Sequence, residues 1–311
     1  MSSPSHEPAE PIWLVSGPTA SGKSALALEL AERHGLEILS MDSMAVYRRM
    51  DIGTAKPSAA ERARVPHHLV DLVEPHEEFD TARWCQAAAA ALSDIRSRGR
   101  KPLFVGGTPL YLMAFFKGLM DTPPANMELR AALAQRERES PGTLHEELSL
   151  KDPEAAARIH RHDERRLVRA LEVIAVTGKR ISEQQDHFEN PKWLRPCRIV
   201  AINRSREDLH ERVKVRTRAM LAGGLVEEVR AILQAGGFSR TAGAAIGYAE
   251  CTDWLRGRYK DETELRNRIR RNTHKLIRRQ LTWLRRLREV RWLPPTATAP
   301  DLHAALAAAD G

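Results

Sequence analysis

Three stretches of the chain hold residues whose types and spacing could do chemistry. The first is Gly17-Pro18-Thr19-Ala20-Ser21-Gly22-Lys23-Ser24, preceded by the apolar run Ile12 to Val15 and followed by apolar residues at helical spacing. That order reads as strand, phosphate loop, helix. Gly17 and Gly22 let the backbone wrap an anion, and successive amides and the helix N-terminus point at it. Lys23 adds a point charge, and the Ser24 hydroxyl can ligate magnesium. The stretch announces a bound diphosphate or triphosphate. It leaves open whether a nucleotide kinase, an ATP-driven machine or a transferase using a non-nucleotide diphosphate carries it.

The second stretch is SMDSMAVYRRMDIGTAKP, residues 40–57. Ligands of doubly wound folds sit at the carboxyl ends of strands, so Asp42 is expected to face the phosphate site. A carboxylate there could hold magnesium, accept a proton from an incoming nucleophile, or cap the following helix. Asp51, Thr54 and Lys56 lie just beyond, and inspection does not separate their roles. In the third stretch, VGGTPLYLMAFFKG, Gly106 and Gly107 permit a tight turn. Thr108 then stands where it could cap a helix beginning at Pro109, or project its hydroxyl into the crevice that Asp42 faces.

The elements that would position these residues alternate. Strands are expected at 12–16, 36–42, 68–73 and 101–107, with helices at 23–33 and 80–98, giving a doubly wound, mostly parallel α/β sheet. Residues 11–120 form the first part of this core. From DTPPANMELR onward the texture changes to polar helical segments, one with Asp163 as N-cap and Gly178 as C-cap, so 121–192 reads as an inserted all-helical domain. The core resumes over 193–293 with a strand at 197–205 and a helix ending at Gly223-Gly224. EVRWLP could add a last short strand, and 294–311 reads as a weakly ordered tail.

With 311 residues, 42% of them hydrophobic, the chain is long enough for such a core plus one inserted unit. The net charge of +8 is concentrated: Glu264 to Arg291 contains eleven Lys or Arg against two Glu. Leu265, Ile269, Leu276, Ile277, Leu281, Leu284 and Leu287 recur there at three- and four-residue intervals, so one face can pack while arginines cover the other. That surface suits a polyanion such as nucleic acid, and the alternative is a solvated helix face. Cys85, Cys197 and Cys251 match no zinc or redox spacing and fit a reduced cytoplasm. The first ten residues lack the pattern of a signal peptide, and no apolar run is long enough to span a membrane.

GPTASGKS, MDSMAVYRRMDIGTAKP, PHHLVDLVEP, VGGTPLYL, AIGYAE and RRQLTWLRR, in that order, resemble the pattern of the tRNA dimethylallyltransferases, also called tRNA isopentenyltransferases. The likeness spans roughly residues 11 to 293. It implies transfer of a dimethylallyl group from dimethylallyl diphosphate to N6 of the adenine just 3′ of the anticodon, with release of diphosphate. The loop from Gly17 to Ser24 would then cradle a prenyl diphosphate with magnesium on Ser24. By resemblance Asp42 matches the general base, Thr108 a contact to the substrate nucleotide, and Arg216 a contact to the diphosphate. The helical insertion resembles the arm that grips the anticodon stem-loop of tRNA. Contacts to tRNA carry over to Asp42, Ser43, Met44, Ala45, Thr108, Arg130, Arg165, Arg166, Leu167, Val168 and Arg169.

There are departures. The family often has glutamine at Ala45 and Arg165, Gln or Arg at Ala244, and Lys or Arg at Ala249, which puts any tRNA contact by those three alanines in doubt. A cytoplasmic monomer is expected. The competing readings are a P-loop kinase acting on a small metabolite, which would need no basic helix, and an ATP-dependent nucleic-acid-binding switch.

Overall fold

The computed structural model describes residues 10–118, 123, 125–183 and 194–308. Its first compact unit joins residues up to Phe116 with those from Arg195 onward; the second spans Lys117–Leu194.

In the first unit the chain runs β1 (Ile12–Ser16), α1 (Lys23–His34), β2 (Leu36–Ser40), α2 (Ala59–Arg64), β3 (His67–His68), α3 (Thr81–Ser97), β4 (Lys101–Val105) and α4 (Pro109–Lys117). The six-stranded sheet is ordered β3-β2-β4-β1-β5-β6, where β5 is Cys197–Ile202 and β6 is Val290–Leu293, and every pairing is parallel. Alternation along the strands divides the core. Val15, Ile38, Leu103 and Val105 pack on Ala27, Leu30 and Ala31 of α1. On the other face Phe104 meets Trp84 of α3 and Phe115 and Phe116 of α4 edge-on or tilted. Because β1 lies inside the sheet between β4 and β5, the loop that follows it and the turns after β2 and β4 emerge at one edge, the carboxyl ends of parallel strands.

Three expectations are corrected. The segment 68–73 is not a strand: pairing stops after His68, and Leu69 and Asp71 take positive φ. Asp71 is drawn aside by Lys56 (2.7 Å) and Arg62 (2.6 Å), and its amide bonds to Ala45 O, so ion pairing overrides the apolar alternation. Strands also end sooner than expected, β2 at Ser40 and β4 at Val105, which leaves Asp42 and Thr108 on turns. Finally, the tail is not weakly ordered through residues 299–307. Thr298 and Asp301 form a capping box, Pro lies in the first turn, and Ala299, Leu302 and Leu306 are fully buried against α1 and the sheet. A spacing of three and four residues in an Ala-rich segment was enough to cover the core beside β1.

In the second unit lie α5 (Met127–Glu139), α6 (Thr143–Lys151), α7 (Pro153–Arg158) and α8 (Glu164–Thr177). Leu133, Leu144, Leu148, Ala155, Leu167 and Leu171 form its core. Asp163 accepts the Arg166 amide at the start of α8, and Gly178 closes it in the left-handed conformation. After β5 the first unit continues with α9 (Arg206–Ala222), α10 (Leu225–Gln234), α11 (Arg240–Gly243), α12 (Tyr248–Leu255), the long α13 (Glu262–Leu284), and after β6 α14 (Ala299–Ala307). Among the described residues no helix is long and apolar enough to cross a membrane.

Candidate active site

The phosphate loop forms because β1 delivers the chain to Gly17 (φ 141°) and Gly22 (φ 91°), conformations that L side chains rarely adopt, and α1 starts immediately after. Lys23 turns its ammonium back on the loop, Nζ 3.3 Å from Pro18 O. Burial pushes its pKa down to about 8; Asp42 acts against the shift and Arg216 adds to it. Ser21 Oγ is buried with no partner among the described residues. A buried ammonium within a loop of glycines is suited to pair with an anion.

Two arginines absent from the sequence reading brace this loop from outside. Arg204 Nε donates to Ser21 O and Arg212 Nε to Ala20 O, each at 2.6 Å. Arg204 also pairs with Asp208, whereas Arg212, one helical turn before Arg216 on α9, lines the cavity itself. The signal available in the sequence was that four-residue spacing.

Asp42 is half-buried, and its Oδ1 accepts the Met44 amide at 2.8 Å. Residues 43–46 are a turn, so Asp42 caps no helix, and the residue lines the cleft. Thr108 Oγ1 accepts the Ser43 amide (3.2 Å), which ties the turn after β4 to the turn after β2. Arg216 is half-buried; the desolvation it meets lowers its pKa, and it donates to Thr54 O at 3.4 Å. The loop it touches is locked in place: Glu228 accepts the amides of Asp51 and Ile52 (3.0 and 2.9 Å) and the Tyr248 hydroxyl (2.6 Å). Lys56, its side chain almost wholly buried, bridges Asp51, Asp71 and Tyr47 O. Asp51 and Lys56 thus hold the loop together, and Thr54 and Lys56 both border the first cavity, with the Thr54 hydroxyl donating to Met50 O at 2.7 Å.

Two cavities meet at these groups. The first, about 630 Å³, joins Lys23, Ser24, Arg212 and Arg216 to an apolar wall of Leu28, Ile38, Ala45 and Val105. The second, about 290 Å³, is lined by Ser43, Met44, Thr108, Tyr248 and Arg279 among others. Thr19, Lys23, Asp42, Thr54 and Arg216 border both. Both cavities mix polar and apolar walls, the first alone takes in Ser24 and Arg212, and Asp42 borders each.

The residues matched to tRNA contacts fare unequally. Ser43 and Met44 line the second cavity, but Ala45 is buried and lines the first. Leu167 and Val168 are core residues of the helical unit, so their side chains cannot meet RNA. Arg130 and Arg169 both bind the carboxylate of the fully buried Glu172; burial opposes its ionisation, but the two guanidiniums hold its pKa below the usual range. Arg165 and Arg166 are exposed. On α13 the only ion pairs among the described residues are Arg266–Glu262 and Arg268–Glu264, at its start. Arg278 and Arg279 beyond them are exposed.

A family model described as IPP transferase matches residues 45–287, and one described as isopentenyl transferase matches 10–67. Among relatives, the chain is 47% identical to the tRNA dimethylallyltransferase of Anaeromyxobacter dehalogenans, covering 91% of this chain and 95% of that one. It is 45% identical to that of Methylococcus capsulatus, covering 91% and 92%. Among solved structures it is similar to the tRNA isopentenylpyrophosphate transferase of Bacillus halodurans, at 36% identity and TM-score 0.67 over 92% of this chain and 90% of that one. It is also similar to a eukaryotic dimethylallyltransferase acting on tRNA, at 26% identity and TM-score 0.77 over 96% and 77%.

Proposed function

The chain belongs to the IPP transferase family, the tRNA dimethylallyltransferases, and we propose a division of labour among its own residues for that reaction. It is an enzyme that transfers a dimethylallyl group to N6 of the adenine just 3′ of the anticodon. In our reading the donor is dimethylallyl diphosphate, with its diphosphate on the loop from Gly17 to Ser24 and its prenyl tail against Leu28, Ile38, Ala45 and Val105. The observation that carries this reading is the pairing, in one cavity, of a cationic loop with the apolar side chains of Leu28, Ile38, Ala45 and Val105, which can take a prenyl tail.

The adenine enters the second cavity, turned out of its stack, because a base held in a stacked loop cannot reach an electrophile in a cleft. Thr108 and Ser43 border that position. The N6 nitrogen attacks C1 of the donor, the C1–O bond breaks, the diphosphate leaves with the bonding pair, and Asp42 takes the proton lost by the amine. Lys23, Arg212 and Arg216 stabilise the charge that develops on the departing group. Magnesium fits this donor set, because Ser24 borders the first cavity beside the loop and that ion is held by one or two protein oxygens plus substrate phosphate. When bound it would supply further charge compensation for the diphosphate.

The exposed Arg165 and Arg166 support a role for the helical unit in gripping the anticodon stem-loop, and the exposed arginines of α13 support contact with the RNA backbone. Action as a monomer in the cytoplasm is part of this reading, and the three free cysteines suit a reducing compartment. The test is to incubate the protein with labelled dimethylallyl diphosphate and anticodon stem-loop RNA, with labelled ATP in parallel. Label on the RNA is the expected result. Phosphate transfer from ATP with the prenyl label left free would overturn the reading.

A further inference from the structure

Gln280 lies on the buried stripe of α13 between Ile277 and Leu284 and is only 7% exposed. Its amide reaches two separate loops. Oε1 accepts the Thr19 amide at 2.9 Å, and Nε2 donates to Gly107 O at 2.7 Å. The partners fix the orientation of the side chain, since a backbone N–H can only donate and a carbonyl only accept. The approach is close enough to exclude any side chain at 107: a Cβ there would lie 2.6 Å from Nε2 and 2.7 Å from Gly17 O.

These two bonds complete a path across the site. Thr19 belongs to the anion loop; Gly107 precedes Thr108, whose hydroxyl holds the Ser43 amide beside Asp42. Thus one buried amide links the loop assigned to the diphosphate with the two turns assigned to the adenine. Arg278 and Arg279 precede it on the same helix and are exposed.

We propose that Gln280 is a positioning residue, setting the phosphate loop in register with Asp42 and Thr108 so that the carbon under attack and the adenine amine meet at the right separation. The proposal rests on the reading that the first cavity takes the donor and the second the adenine. It predicts an effect on donor use and turnover, because both polar atoms of Gln280 are engaged by the two loops, so that where its side chain borders the second cavity it has no free donor or acceptor aimed at the base.

The test uses the full chain and begins with the wild type, labelled dimethylallyl diphosphate and anticodon stem-loop RNA. A wild type that moves no label refutes the transferase reading itself; a competent wild type makes the variants informative about Gln280 alone. Gln280→Met keeps length and burial but removes both bonds, leaving a buried donor and acceptor unsatisfied. Its kcat/KM for the donor should fall by roughly thirtyfold, while the Kd for the RNA hairpin without donor stays within about twofold. Unchanged donor kinetics, or an equal loss of RNA affinity, overturns the proposal. Should that variant not fold, Gln280→Glu asks the same question through pH. Its carboxylate can accept from Thr19 but repels Gly107 O, whereas the protonated acid can make both bonds. The ratio of its kcat/KM to that of the wild type should therefore rise as pH falls from about 8.5 to 6, where a buried carboxyl gains its proton. A level ratio overturns the proposal as well.

Discussion

Lys23 makes the affinity for the donor depend on pH in a defined direction. Burial, reinforced by Arg216 and opposed by Asp42, lowers its pKa from 10.5 to about 8. Lowering from 10.5 to about 8 disfavours the charged form in the folded protein by about 3 kcal/mol. The unfolded chain holds this proton more tightly, so the penalty is complete below pH 8 and disappears as pH rises from about 8 to 10.5. A diphosphate beside the ammonium reverses the preference and raises the pKa again. Below pH 8 binding needs no proton uptake at this site; above it, Kd should grow by up to tenfold per unit, to at most about 300-fold if the bound lysine regains 10.5. Calorimetry of inorganic diphosphate binding between pH 7 and 9.5, in two buffers of different ionisation heat, reads both Kd and proton uptake. In Lys23→Met the slope should vanish and affinity at pH 7 should drop. A level wild-type Kd across that range, or the same slope in the methionine variant, would refute the reasoning.

Asp42→Ala should depress the chemical step by a factor on the order of 10² to 10⁴ with RNA binding nearly intact, measured by single turnover and filter binding; equal losses in both would mean that the carboxylate only holds its turn. Replacing Arg278 and Arg279 by glutamine should make the plot of log affinity for the hairpin against log salt less steep by roughly two, and an unchanged slope would return that face to solvent. Leu306→Ala should cost about 2 to 5 kcal/mol in urea unfolding, because its side chain is fully buried against α1 and the sheet; a cost near zero would mean the last helix is dispensable.

How much of this was legible varied by kind of signal. The phosphate loop, Asp42 and Thr108 could be read from local order, because a strand, a glycine-bounded turn and a helix fix where their side chains emerge. The same holds for α8, whose caps Asp163 and Gly178 act within one turn of chain. Segment 68–73 failed because its alternation was overruled by Lys56 and Arg62, which come from a neighbouring loop and helix. Leu167 and Val168 fell inside a matched stretch, yet a helix presents successive residues to different sides, and only packing shows which side is the core.

Thus the residue order by itself determined the nature of the chemistry: an anion cradle, a carboxylate at a strand end and a cationic helix, each encoded within a few neighbouring positions. Tertiary structure alone decided how they act together. Gln280 meets Thr19 across 261 residues of chain, and Arg212 meets Ala20 across 192. Such contacts leave no periodicity in the sequence, because they depend on where parallel strands and crossing helices bring distant backbone groups within hydrogen-bonding distance.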